Sequence, residues 1–215
     1  LSGKLTDLIA KCVPERPALK KQVIQQLDSL SPSSTIIASN SSSYTCDELI
    51  RGLDLKHKSR ILSAHTYWPP ETRELKLTRR AAIEIMGHSE TDVACIDLLM
   101  QKSQEHGFTP FKVKNNSMGY LYNRIWAAIK REALLAAAEG AGTPQEIDNI
   151  FKDVLKTDNG PFEQMDVVGL DVVLDIEKHY AGARPGIPNE PQEYLAKIIS
   201  EGRLGVKSGQ GFYKY

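Results

Sequence analysis

Apolar residues in the first half of the chain come in short runs separated by longer amphipathic stretches. Residues 6–13, TDLIAKCV, form one such run and end at Pro14; a short apolar run closed by a breaker predicts a strand. Residues 16–30 carry Leu19, Val23, Ile24 and Leu27 at helical spacing and predict an amphipathic helix. STIIASN predicts a second strand, 45–53 a short helix, 59–67 a third strand and 80–87 a fourth. SETDVACIDLLMQKSQEHG predicts a helix with Ser89 or Thr91 as its N-cap and Gly107 closing it. FTPFKVK, 108–114, predicts a fifth strand. Strands alternating with helices imply an α/β layer with a mainly parallel sheet.

The texture changes after NNSMG at 115–119. Residues 120–140 predict one long helix ending at Gly140. Thr143, Pro144 and Glu146 have the N-cap, N1 and N3 chemistry of a capping box, so a further helix starts there. PFEQMDVVGLDVVLDIEKHYA and PQEYLAKIISEG predict two more. The chain is therefore expected to divide into an α/β part, 1–115, and an all-helical part, 116–215.

Composition changes this picture little. The 215 residues are 41% hydrophobic and 25% charged, with 27 basic and 27 acidic side chains. That argues for a folded chain and against nucleic acid or an anionic membrane as partner. No apolar run approaches the ~20 residues of a membrane span. Cys12, Cys46 and Cys95 are odd in number and widely spaced; they make no metal or redox motif and point to a reducing, intracellular setting. The first residue is Leu, so a fragment or a processed chain is expected.

Four positions could carry chemistry. His65 ends the third strand, and in open α/β sheets ligands gather beyond the carboxyl ends of strands. An imidazole there suits proton transfer, although a strand-end His satisfied by backbone has the same signature. Glu84 lies within the apolar run AAIEIMG. A carboxylate there is costly unless paired, and a His partner would relieve the cost; a solvated face of an edge strand would relieve it too. Asn123 begins the long helix, beside Arg124, where it could donate to a substrate oxygen or simply cap. Ser42 belongs to SNSSSY, at the end of the second strand. Its hydroxyl could hold a substrate oxygen, and a serine-rich turn would explain it equally. TRELKLTRR, 72–80, is basic and reads as a solvated loop. No G-x-G-x-x-G, P-loop or H-E-x-x-H occurs in the chain.

In order, V-P-E with LKK, ASNSSS, H-x-x-x-P-P, IEIMG, GYLYNR, AAEGAGTPQEID, GPFEQMDVVGLD and the terminal G-x-K-S-G-x-G-F-Y resemble the 3-hydroxyacyl-CoA dehydrogenase family over nearly the whole chain. The resemblance implies an incomplete Rossmann-type domain followed by an all-α dimerisation-type domain. It implies NAD as cofactor and hydride transfer between NAD and C3 of a 3-hydroxyacyl-CoA, in fatty-acid metabolism. His65 matches the family's base, Glu84 the acid that orients it, and Ser42 and Asn123 the groups holding the substrate oxygen. Glu15, Lys20, Asn40 and Ser42 match the cofactor side. No metal is implied. The family's first strand and glycine-rich turn would precede residue 1. Lys11 stands where the family usually has Glu, Trp68 where many members have Asn, and 72–80 looks like an inserted loop.

The resemblance also implies a homodimer through the helical part, an acyl-CoA substrate, and a location in cytoplasm, mitochondrion or peroxisome. Two other readings are weighed beside it. One is a dehydrogenase of a small hydroxy acid without CoA. The other is a catalytically inactive, truncated dimerising module.

Overall fold

The computed structural model describes residues 8–14, 16–67 and 81–215. The expectations placed on Glu15, on Trp68 and the two prolines after it, and on the 72–80 segment lie outside those residues. Five strands, Leu8–Lys11 (β1), Ile36–Ser39 (β2), Ile61–Thr66 (β3), Ala82–Met86 (β4) and Thr109–Val113 (β5), form one sheet in chain order. β1–β2, β2–β3 and β4–β5 pair in parallel. β3 and β4 run antiparallel, in a register that sets His65 opposite Glu84. β4 is thus an interior strand, which removes the reading of Glu84 as a group on a solvated edge.

Alternation along the strands decides which helix covers which face. Ile37 and Ile61 pack with Ile24 of helix Pro17–Leu30 (α1) and with Cys46, Leu49 and Ile50 of the short helix Cys46–Ile50 (α2). Ile36, Ala38, Leu62, Ile83 and Ile85 pack on the other face with Ile96 and Leu99 of helix Val93–Glu105 (α3). A sheet covered on both faces needs apolar residues at successive positions, which is why IIA in β2 shows no polar alternation. α2 starts at a full capping box between Thr45 and Glu48. The N-cap of α3 is Asp92, whose carboxylate accepts from the Ala94 N–H, so the expectation of Ser89 or Thr91 is corrected. Thr91 is otherwise engaged: its hydroxyl donates to the Ile61 carbonyl and accepts from the His88 N–H.

The chain separates into two compact units, 1–124 and 125–215. Helix Tyr122–Ala138 (α4) begins in the first and supplies most of its length to the second. The second unit continues with Pro144–Leu155 (α5), Pro161–Val168 (α6), Leu170–Ala183 (α7) and Glu190–Ser200 (α8). The single helix expected from PFEQMDVVGLDVVLDIEKHYA is two. Gly169 sits at φ +99°, a conformation L side chains rarely adopt, and the helix breaks there. The core is Leu134, Phe162, Met165, Leu170, Val173 and Leu195 with their neighbours.

Two buried carboxylates tie this unit together. Asp148 of α5 accepts from the backbone N–H groups of Phe162 and Glu163 at 2.8 and 2.9 Å, satisfying the amino end of α6. Asp166 accepts from the N–H groups of Phe212 and Tyr213, each at 2.9 Å, and fixes the terminal GQGFYKY segment. Among the described residues no helix is long and apolar enough to cross a membrane, and none of their His, Cys, Asp and Glu side chains cluster as a metal site would require.

Candidate active site

The parallel run β1–β2–β3 brings three strand carboxyl ends to one edge of the first unit, and Asn40 stitches them. Its N–H donates to the Lys11 carbonyl at 3.1 Å, its Oδ1 accepts from the Thr66 N–H at 3.1 Å, and its Nδ2 lies 3.6 Å from Cys12 Sγ. Its own carbonyl lies 3.2 Å from Nδ1 of His65. A carbonyl can only accept, so Nδ1 carries the proton in the neutral imidazole and Nε2 holds the lone pair. Nε2 in turn lies 3.2 Å from Asn123 Nδ2, which also donates to the Ser42 carbonyl at 3.5 Å. The polarity is consistent along the chain of bonds, from Ser42 through Asn123 and His65 to Asn40. The backbone thus satisfies one imidazole nitrogen and leaves the other basic.

His65, Asn40, Ser42 and Asn123 therefore meet at one place. The contribution of Ser42 is its carbonyl, where its hydroxyl was expected. SNSSSY does both things its composition allowed. Ser41 Oγ accepts from the Tyr44 N–H at 3.0 Å, as a turn residue does, while Asn40 and Ser42 face the imidazole and its amide neighbour. Lys20 is buried on α1, and its ammonium donates to the Val13 carbonyl at 2.9 Å, just past β1.

Glu84 sits directly across from His65 in the sheet, and its carboxylate also takes three other donors. Its carboxylate accepts from the Leu121 N–H at 3.0 Å, the Tyr122 N–H at 3.4 Å and the Tyr67 hydroxyl. The first two are orphan donors at the amino end of α4, so Glu84 caps from a distance the helix that carries Asn123. Burial pushes its carboxyl above the usual range, and the two backbone hydrogen bonds pull the other way.

Tyr67 and Tyr120 were not singled out from the sequence. The Tyr120 ring stacks on His65 with centroids 5.3 Å apart and planes 14° from parallel. Its hydroxyl donates to the Ser41 carbonyl at 2.8 Å. Tyr120 holds φ +56°, uncommon for a bulky residue and found where surrounding contacts enforce it. Tyr67 meets His65 edge-on, centroids 4.9 Å apart. The available signal for Tyr67 was the strand period, which puts it on the face of His65 two residues earlier; nothing in the sequence marks the backbone of Tyr120.

The polar groups at these strand ends fit an uncharged carboxamide such as that of nicotinamide better than a phosphate. Asn40 and the carbonyls of Ser41 and Ser42 crowd the strand ends with neutral amide and peptide groups, whereas a pyrophosphate needs a glycine-rich turn at a helix N-terminus. No G-x-G-x-x-G is found among the 215 residues.

The model of the 3-hydroxyacyl-CoA dehydrogenase NAD binding domain matches residues 3–116, and that of the 3-hydroxyacyl-CoA dehydrogenase C-terminal domain matches residues 119–215. The chain is 37% identical over 159 residues to the 3-hydroxyacyl-CoA dehydrogenase-like protein LAM1 of Cochliobolus heterostrophus, covering 73% of this chain and 32% of that protein. It is 27% identical over 211 residues to the mitochondrial hydroxyacyl-coenzyme A dehydrogenase of Homo sapiens, covering 98% of this chain and 64% of that one. Among solved structures, (S)-3-hydroxybutyryl-CoA dehydrogenase PaaH1 from Ralstonia eutropha superposes with a TM-score of 0.82 at 26% identity, over 98% of this chain and 71% of that chain. The chain spans between about a third and two thirds of the length of the two curated relatives.

Proposed function

The chain belongs to the 3-hydroxyacyl-CoA dehydrogenase family, and from that premise we propose that the protein oxidises the C3 hydroxyl of a 3-hydroxyacyl-CoA, or reduces the corresponding ketone, with NAD. The observation that carries this reading is the imidazole of His65, with Nδ1–H held by the Asn40 carbonyl and Nε2 left basic beside Asn123. NAD, when bound, supplies the hydride acceptor. The chain's own residues handle the proton. Nε2 of His65 accepts the hydroxyl proton, within hydrogen-bond reach of the oxygen as general-base catalysis requires. The Asn123 amide, which donates to Nε2 in the free protein, is placed to donate to the substrate oxygen that takes this position, where negative charge would build. Ser42 lines that position. Glu84 holds the amino end of α4 and so the place of Asn123. Asn40, Ser42, Glu15 and Lys20 form the cofactor side.

A homodimer through the helical unit follows from the same reading. Ile150 and Val154 lie on α5 one turn apart, with Leu155 beside them, all more than half exposed. Such a patch is unusual on a monomer's surface. The three cysteines are free, which supports a reducing compartment.

The test is NADH oxidation with acetoacetyl-CoA, run beside acetoacetate and preceded by a fluorescence titration with NADH. Saturable NADH binding and turnover of the thioester alone are expected. Turnover of free acetoacetate at an equal rate would move the substrate class to small hydroxy acids, and neither binding nor turnover would contradict the dehydrogenase reading.

A further inference from the structure

Lys130 and Arg131 are consecutive on α4, and both feel the same acid, Glu177 of α7. Arg131 takes both of its oxygens, with Nε at 2.7 Å and Nη2 at 3.4 Å. Lys130 is only 5% exposed, and among the described residues its Nζ donates no hydrogen bond. That nitrogen is not sealed from solvent. A third cation belongs to the same cluster. Arg184, just past α7, lies over the Tyr180 ring at 5.3 Å, and Arg131 lies over the same ring at 5.5 Å. Tyr180 is buried, and its ring attracts and orders both guanidiniums. Three positive groups thus share one carboxylate, and Arg131 already occupies it. A buried charge is tolerated when it is paired and hydrogen-bonded; Lys130 is attracted by Glu177 without bonding to it.

We propose that Lys130, Arg131 and Arg184 form a binding site for a small tetrahedral oxyanion, either a free one or the phosphate group of a nucleotide cofactor. The site lies wholly within residues 125–215, so it does not depend on the reading of His65. Ammonium and guanidinium groups are the side chains that bind such anions by charge-assisted hydrogen bonds. An oxyanion at Nζ would supply the acceptor that the two helices do not. It would also oppose burial, which pushes the Lys130 amine down to about 8, because a negative charge nearby favours the protonated form. Anion binding and protonation of Lys130 are therefore linked, each strengthening the other. The charged groups acting on this amine are Glu177 from α7 and Arg131 from its own helix. Their mutual ion pair cancels most of the repulsion that Glu177 alone would exert on an anion.

The experiment is an NMR titration of the Lys130 amine in the wild-type protein, in chloride and in sulfate at matched ionic strength. Sulfate keeps its charge at neutral and alkaline pH, so only the protein titrates. It is expected to raise the Lys130 pKa by about 1 unit, saturably; an unmoved titration overturns the proposal. Urea unfolding of wild type and of Lys130→Met, with increasing sulfate, reads the same site through stability. Sulfate stabilises folded proteins in general, and both proteins will show that part. Wild type alone should gain a further part, about 100-fold in the folding equilibrium at a hundred times the dissociation constant, which fades as pH rises above about 8. Equal gains in the two proteins overturn the proposal. If Lys130→Met does not fold, the wild-type amine titration decides alone. Inorganic phosphate and CoA in place of sulfate identify the source. A shift at lower concentration of CoA than of phosphate assigns the site to a cofactor's phosphate group, and the reverse assigns it to a free anion; either supports the site.

Discussion

The Asn123 side-chain nitrogen lies 3.2 Å from Nε2 of His65, across 58 residues of chain. One end of that contact belongs to a strand edge and the other to the first turn of α4, held there by Glu84 through the Leu121 and Tyr122 N–H groups. A donor placed at the basic nitrogen of a general base is placed where the substrate oxygen must come. Asn123→Ala should therefore lower kcat about 10²-fold, the size seen when one preorganised donor to a developing oxyanion is removed. The melting temperature should stay within a few degrees of wild type, since Asn123 is only half-buried. Steady-state kinetics beside a thermal melt checks both, and an unchanged kcat would place the donor elsewhere.

The helical unit carries a charge that burial disfavours. Lys130 of α4 is buried, and burial pushes its amine down to about 8 against the attraction of Glu177. Glu177 is already held by Arg131 at 2.7 Å. The folded-state pKa lies below the unfolded one, so between about 8 and 10.5 the unfolded chain binds more protons and stability rises with pH. Below about 8 the cost of the buried ammonium is present in full. Lys130→Met should stabilise the protein by roughly 1–3 kcal/mol at neutral pH, and the gain should shrink as pH approaches 10.5. Urea unfolding of both proteins at pH 7 and pH 10 measures this; a gain independent of pH would trace the effect to packing alone.

The terminal motif closes against a buried acid with no room to spare. A Cβ at Gly211 would run into the Asp166 carboxylate. That carboxylate accepts from the Phe212 and Tyr213 N–H groups and from the Tyr215 hydroxyl. Gly211→Ala should displace the acid from these donors and cost about 3 kcal/mol or more, as losses of buried hydrogen-bond networks do. A denaturant midpoint within error of wild type would show that the segment can shift without loss.

Periodicity made most of the fold legible, and its misses have particular causes. The strands were readable because a sheet buried on both faces leaves uninterrupted apolar runs such as Ile36–Ile37–Ala38. The break at Gly169 was not, because a glycine inside an apolar helical pattern is tolerated as often as it is disruptive, and only its φ of +99° decides. The α3 cap was misplaced because Ser89, Thr91 and Asp92 are all good caps, and tertiary bonds had already taken Thr91. His65, Asn123 and Ser42 could be found as residue types at strand and helix ends, and Asn40 through the family resemblance. The partners of Glu84 could not, because two of them are backbone N–H groups of a helix that begins 38 residues later, and the third is a tyrosine hydroxyl in a stretch that looks apolar.

The central claim is that Nε2 of His65 takes the substrate proton, and His65→Gln tests it most directly. Glutamine can still hydrogen-bond but cannot accept a proton at neutral pH. With acetoacetyl-CoA and NADH, the variant should lose at least about 10²-fold in kcat while its NADH titration and its circular dichroism stay those of the wild-type protein. Turnover within a few-fold of wild type would contradict the account and remove His65 from the chemistry.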